Sequence, residues 1–333
     1  MKRVAIVFTG GTISMQPDPE AGGNRPVLDG AAILARAPEA ARIAHLEAVD
    51  WGLVPASHLR FEQILDIARV MQAQLDRADV DGLVLVQGTD VLEETAFAFD
   101  LLLPTGKPVV VTGAMRDAAS PDYDGPRNLA DAVACAVSPK LAGAGVLVVL
   151  GGVVIGADQA VKAHSTALDA FRARDGRPLG DVAGGTIRIV GRRGAPRTGR
   201  RGLAEIPAAA VEDVHLVTVV TGMDGAIIRG LAASRPRGLV VAATGSGNTH
   251  PDLLAAAREL MAAGTTVCLT TRCPGGTVDP IYAFPGGGAT WKQAGALMSS
   301  LDGPKTRVAL ALGLAAGLNV DELAELISDD TAR

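Results

Sequence analysis

Four short stretches of this sequence carry hydroxyls, carboxylates and a lysine, three of them beside glycines. They read Thr9-Gly10-Gly11-Thr12, Gln87-Gly88-Thr89-Asp90, Thr112-Gly113-Ala114-Met115-Arg116-Asp117 and Ala160-Val161-Lys162-Ala163. In the first stretch the two glycines let the backbone turn sharply and let a ligand approach it closely, with the hydroxyls of Thr9 and Thr12 on either side. A carboxylate such as Asp90 can bind an ammonium group and join a proton relay. Lys162 is one of only six lysines in the chain. A lysine beside a threonine hydroxyl can accept its proton where burial lowers the lysine pKa.

Each stretch also has an ordinary reading. Gly10-Gly11 makes a turn with Thr12 capping a helix. Asp90 or Thr89 caps the helix that follows, and Glu93, three residues past Asp90, completes a capping box. Asp124-Gly125 makes a turn, and Pro126 suits the first helical position. An exposed lysine is usually a solvated charge. Taken alone, no stretch decides between the two readings, and none has the glycine spacing of a dinucleotide-binding or Walker loop.

The surrounding elements favour a shared site. Short, continuous apolar runs at 4–8, 82–86, 108–112 and 145–150 alternate with helical patterns at 61–78, 91–103 and 127–136. In the first helix Ile64, Ile67, Ala68, Met71 and Leu75 recur at three- and four-residue spacing. Continuous rather than alternating apolar strands imply burial on both faces, as in a parallel sheet covered by helices. Ligands of such sheets bind beyond the carboxyl ends of the strands, where these polar stretches fall. A second set follows, with strands at 215–220, 238–243 and 265–270 and helices at 251–263, 290–299 and 305–316. Between the sets, 191–202 is basic, glycine-rich and without apolar period, and reads as a solvated hairpin or linker. The expected fold is therefore α/β: two αβα domains with mainly parallel sheets, a larger N-terminal domain (1–190), a linker (191–212) and a smaller C-terminal domain (213–333).

Composition narrows the function. The chain has 333 residues, 48% hydrophobic and 20% charged, with a net charge of -5. That is globular composition, with no basic excess for nucleic acid or anionic membranes. The three cysteines form no CxxC pair, and histidines and carboxylates show no ligand-type spacing, so neither a disulfide framework nor a metal site is expected. The N-terminal apolar run of about five residues is shorter than a signal-peptide core, and no apolar stretch is long enough for a transmembrane helix. A cytoplasmic protein acting on a small molecule, without cofactor, is expected.

In this order, the motifs resemble those of the bacterial L-asparaginase/glutaminase amidohydrolases, the threonine-nucleophile type. TGGTI begins at Thr9, GTD ends at Asp90 and opens an EET helix, TGAMR is followed by DGPxNL at 124–129, and Lys162 comes about 70 residues after GTD. Gly245-Ser246-Gly247-Asn248 and Arg272-Cys273-Pro274-Gly275-Gly276 extend the resemblance over nearly the whole chain. Residues 9–16 look especially like the cytoplasmic type. The resemblance implies hydrolysis of L-asparagine or a close amide analogue, with Thr12 as the acyl-accepting nucleophile. It implies a second cluster of Thr89, Asp90 and Lys162, with Asp90 also binding the substrate's α-amino group. Gly11, Gly88 and Ala114 then line the pocket with backbone, and Asn248 completes it from a neighbouring subunit, which implies a homodimer or homotetramer.

Three positions depart from that pattern. Asn24 stands where the family has a loop tyrosine that assists the nucleophile, and Asn cannot act as a proton acceptor as a phenolate can. The chain's two tyrosines, Tyr123 and Tyr282, lie elsewhere. Ala56 occupies the position of a carboxylate-binding serine, with Ser57 and His58 beside it as the residues expected to contact the substrate. Gln87 replaces a frequent histidine. These departures keep a second expectation open: an ester, lactone or different amide as substrate on the same scaffold.

Overall fold

The computed structural model describes residues 1–104, 106–191, 193, 206, 211 and 213–328. They fall into two compact units, Met1–Gly199 and Arg200–Arg333. Of the expected linker 191–212, all but Gly191, Arg193, Ile206 and Val211 lies outside the described residues.

The first unit opens with β1 (Arg3–Phe8), whose residues after Arg3 are all buried, and a hairpin of β2 (Met15–Asp18) and β3 (Gly23–Pro26). Next come α1 (Gly30–Ala35), α2 (Pro38–Ile43), β4 (His45–Asp50), α3 (Phe61–Leu75), β5 (Gly82–Val86), α4 (Leu92–Leu102), β6 (Val109–Thr112), α5 (Gly125–Ala136) and β7 (Val146–Leu150). The unit continues with β8 (Val153–Gly156), β9 (Ala160–Lys162), β10 (Phe171–Ala173), β11 (Gly180–Ala183) and β12 (Thr186–Ile189). Eight strands form one sheet in the order β12-β11-β8-β7-β6-β5-β1-β4. From β4 to β7 it is parallel, and the edge made by β8, β11 and β12 is antiparallel.

Both faces of the parallel part are covered. Val4, Ile6 and Phe8 pack into one core with Val84, Val110, Ile33 on α1, Ala40 on α2 and Leu129 and Val133 on α5. The intervening Ala5, Val7, Leu83 and Leu85 are also fully buried, and α3 and α4 pack against the sheet. This is why the strands read as unbroken apolar runs. The register aligns their carboxyl ends: Phe8 pairs with Asp50 and with Val86, and Val86 with Thr112. The chain therefore leaves β4, β1, β5 and β6 at one edge, carrying residues from 51, 9, 87 and 113 onward.

The second unit has a parallel sheet of β13 (Val214–Thr218), β14 (Gly238–Ala243), β15 (Thr266–Thr271) and the short β16 (Leu297–Met298), in that order. Its helices are α6 (Ala226–Leu231), α7 (Pro251–Ala262), α8 (Gly288–Gln293), α9 (Gly303–Ala315) and α10 (Val320–Ile327). The helix expected over 290–299 is thus a short helix followed by an edge strand, with Gly295 at φ 98 between them. Among the described residues no helix is long and apolar enough to cross a membrane.

Candidate active site

The first two loops meet at two glycines. Gly11 has φ 95, a region that disfavours side chains, and a Cβ there would fall 2.3 Å from both Cα and N of Gly88. The TGGTI loop therefore lies backbone to backbone on the GTD loop, and Thr12 and Thr89 follow the two touching residues. Thr12 opens a single 3-10 turn, Thr12–Ser14, in which both the amide and the hydroxyl of Ser14 donate to the Gly11 carbonyl, at 2.9 and 2.7 Å. Thr12 is partly exposed. The Thr9 hydroxyl turns away to donate to the Val86 carbonyl, at 3.1 Å, so its role is structural.

Thr89, Asp90 and Lys162 converge. Lys162 Nζ donates to Thr89 Oγ1 at 2.9 Å and to Asp90 Oδ1 at 3.1 Å. Thr89 is buried, the Lys162 side chain is 15% exposed, and the Asp90 side chain is 64% exposed. The ammonium thus sits between a buried hydroxyl and a carboxylate open to solvent. Asp90 does not cap α4: Val91 is the cap residue, with no side-chain cap bond. Glu93 does not close a capping box either; its carboxylate accepts the backbone amide of Lys162. Lys162 ends β9, which pairs with β10 through Lys162 and Phe171.

The third loop is braced from below. A Cβ at Gly113 would lie 2.4 Å from the Gln87 carbonyl and 3.3 Å from Thr89 Cγ2, which sets this loop against GTD and places buried Ala114 beside it. Asp124 accepts the amides of Met115, at 3.0 Å, and Arg116, at 2.9 Å. Asn128 donates to the Gly113 carbonyl at 3.1 Å and to Asp124 at 2.8 Å. Arg116 reaches the Thr166 carbonyl at 2.6 Å, tying this loop to the one that follows Lys162. Gln87 donates to Thr95 Oγ1 at 2.8 Å, and its Oε1 is buried without a partner among the described residues.

The structure brings Ala56, not Ser57, against the site backbone: a Cβ at Gly88 would lie 2.9 Å from that of Ala56. Ser57 and His58 follow on the same 3-10 turn and are exposed. Asn24 lies on β3, exposed, and hydrogen-bonds Asp117; with the Ser120 hydroxyl first, and Asn24 and the Ala119 amide besides, this holds the Asp117 carboxyl below its ordinary value. Tyr123 donates its hydroxyl to the Ile13 carbonyl at 2.8 Å, next to Thr12, and burial pushes its phenol up to about 12. It is therefore placed near Thr12 as a neutral donor, not as a base.

Asn248 and Tyr282 belong to the second unit. Asn248 closes a tight loop after β14, exchanging backbone bonds with Thr244, and its Oδ1 accepts the Gly288 amide at 3.4 Å. Tyr282 is exposed, its ring 5.7 Å from that of Phe284.

Sequence reasoning missed Asp124 and Asn128 as braces, Glu93 as the anchor of Lys162, and the setting of Arg193. Arg193 was expected on a solvated segment. Instead its guanidinium is 9% exposed and pairs with the fully buried Asp100 on α4, at 2.6 Å, and with Asp158 in the turn before β9, at 2.8 Å. The signal that could have found Asp124 and Asn128 is their spacing in DGPxNL, four apart on one helix face. Nothing in the basic run distinguishes Arg193 from its neighbours. Among the described residues no three His, Cys, Asp or Glu side chains gather as a metal site.

Comparison with known proteins agrees with this geometry. The family model for the N-terminal asparaginase domain matches residues 3–193, and that for the glutaminase/asparaginase C-terminal domain matches 213–327. A probable L-asparaginase of Deinococcus radiodurans is 35% identical, over 97% of this chain and 96% of its own. An L-asparaginase of Bacillus licheniformis is 27% identical, over 94% and 96%. A crystal structure of a probable cytoplasmic L-asparaginase from Campylobacter jejuni superposes with a TM-score of 0.85 at 26% identity, over 98% of this chain and 99% of that one.

Proposed function

The chain belongs to the asparaginase family, and we propose that it is an amidohydrolase converting L-asparagine to L-aspartate and ammonia through an acyl-threonine intermediate. Thr12 Oγ attacks the side-chain amide carbon. Backbone groups at the Gly11–Gly88 junction and at Ala114 face the carbonyl oxygen, where fixed dipoles stabilise the tetrahedral oxyanion best. The C–N bond breaks, ammonia leaves carrying the proton given up by Thr12, and an ester to Thr12 remains. Water then attacks the ester, handing its proton to Thr89 Oγ1 as the Thr89 hydroxyl passes its own to Lys162 in the neutral amine form, and the relay returns a proton to Thr12 as the acid leaves. Asp90, open to solvent beside Lys162, binds the substrate's ammonium.

The observation that carries this reading is the 2.9 Å contact between Lys162 Nζ and the buried Thr89 Oγ1, made across 73 residues of sequence. Its test is ammonia release from L-asparagine, compared with glutamine and a panel of amides, esters and lactones. Thr89→Val is expected to abolish turnover and leave the fold intact. Full activity in that variant overturns the assignment.

Two placements favour a second reading, a different amide, ester or lactone as substrate. Asn24 is engaged with Asp117 in place of a proton acceptor, and the methyl of Ala56 faces Gly88 where a hydroxyl would bind a carboxylate. No ammonia from millimolar asparagine, with turnover of another panel member, would select it. The resemblance, in which the residue matching Asn248 completes a neighbouring subunit's pocket, is the ground for proposing an assembly of at least two subunits, checked by sedimentation. The described character of the Campylobacter protein supports a cytoplasmic location.

A further inference from the structure

We propose that Tyr123 is a positioning residue for the nucleophile: its hydroxyl, donated to the Ile13 carbonyl, fixes the turn that presents Thr12. The proposal rests on Thr12 being the acyl acceptor. In the Thr12–Ser14 turn the Gly11 carbonyl is taken by Ser14 and the Thr12 carbonyl by the Met15 amide. The next carbonyl, that of Ile13, accepts from Tyr123 at 2.8 Å, from a residue 110 positions away. Ile13 is itself fully buried, and a buried carbonyl stripped of its donor is driven to find another.

The phenol is well placed to act as a fixed prop. A Cβ on Gly125 would sit 2.5 Å from its ring atoms, so the ring lies flush on the first turn of α5. The Tyr123 amide is held by the Ser120 carbonyl at 3.1 Å. Burial pushes the phenol up to about 12, so it keeps its proton, and its donor role, throughout the neutral range. The same loop grips the hairpin once more, through the Ala118 amide on the Met15 carbonyl at 3.0 Å. Of the two ties, only that of Tyr123 reaches the residue bonded to Thr12. Attack needs the reacting atoms about 3–3.5 Å apart and aligned, so a small shift of this turn costs rate. Tyr123 touches no reacting atom. It serves the orientation of the hydroxyl and leaves proton transfer to other groups.

The test uses Tyr123→Phe, which keeps the ring over Gly125 and removes one donor. In single-turnover measurements, acyl-enzyme formation is expected to slow by tenfold or more. KM should stay within threefold, and the partition of the acyl-enzyme between water and hydroxylamine should not change. A merely structural role would lower the unfolding temperature without this selective loss of acylation. Tyr123→Leu, which also lacks the donor, should show the same split. Wild-type acylation in either folded variant overturns the proposal. Thr12→Val separates the two readings. If it retains turnover, the nucleophile assignment falls; if it is inactive while Tyr123→Phe acylates normally, only the positioning role falls.

Discussion

Glu93 holds the main chain of Lys162 while the side chain of Lys162 holds Thr89. The first turn of α4 thereby fixes the strand that carries the ammonium, and the loop leading into that helix carries the two groups the ammonium meets. Helix and strand form one bracket around a buried hydroxyl, with the Asp90 carboxylate open to solvent.

Glu93→Ala removes the acceptor and leaves the Lys162 amide without it. The loss expected is about 1–3 kcal/mol of stability and a tenfold or larger drop in kcat. Glu93→Gln keeps an acceptor oxygen and should stay within a few-fold of wild type. Steady-state kinetics beside urea unfolding check this. Equal kcat in all three proteins would show that Lys162 finds its place without Glu93.

Gly11→Ala meets two obstacles at once. The backbone there is at φ 95, and the added methyl would collide with Gly88 backbone at 2.3 Å, which cannot swing aside as a side chain can. A side chain at such positive φ costs about 1–3 kcal/mol and overpacking about 1–3 kcal/mol more. Gly22→Ala is the control: φ is 67, but nothing lies within 4 Å of the added atom. It should pay only the first cost and keep activity, whereas Gly11→Ala should lose most turnover. Urea unfolding and ammonia release distinguish them.

What the sequence made legible follows from burial. The parallel strands β1, β5, β6 and β7 are apolar but for Arg3 and Thr112 because helices cover both faces, and that pattern needs no tertiary knowledge. The sheet's edge strand β4, with its mixed sequence HLEAVD, carries no such signal, nor does the three-residue β9. The threonine and aspartate candidates were visible because they sat after strands whose ends turned out to be in register, whereas Lys162 lies on β9, in a separate two-stranded sheet. Asp90 illustrates the limit. A capping aspartate and a lysine-paired one have the same local sequence, and only the position of Lys162, 72 residues on, decides between them. Arg193 illustrates the converse: its glycine-rich surroundings describe a solvated segment, but two distant carboxylates draw it into the protein.

Arg193→Met tests that buried cluster. It would leave Asp100 fully buried with no guanidinium beside it, and breaking a buried pair from one side typically costs about 3–5 kcal/mol. Burial already pushes the Asp100 carboxyl above its ordinary value, and losing the arginine pushes it further. The variant's Asp100 therefore folds most readily when protonated. Its stability deficit should be larger at pH 8 than at pH 5, as measured by urea midpoints. Replacing Asp100 by Asn in the same protein should recover much of the deficit at pH 8. A deficit that ignores pH would show that the cluster acts through packing alone.

Asp131 offers a second reading of pH, about two turns along α5 from Asp124. It is 2% exposed, and burial, only partly offset by Arg127 and the Gly185 amide, pushes its carboxyl up to about 6 from an ordinary 3.8. The folded state thus holds a proton that the unfolded state releases earlier. Between about pH 4 and pH 6 the unfolded chain gains from ionisation while the native one does not, so stability falls as pH rises and levels off above about 6. Asp131→Asn keeps an acceptor for the Gly185 amide and removes the titration. The variant should unfold at a higher temperature than wild type at pH 7.5, by an amount worth at most about 3 kcal/mol at 1.36 kcal/mol per pKa unit. The gap should close as pH falls toward 4, where both proteins carry a neutral side chain. Calorimetry at pH 4.5, 6 and 7.5 decides the matter; a gap that is constant or reversed would mean that Asp131 is ionised and satisfied in the native protein.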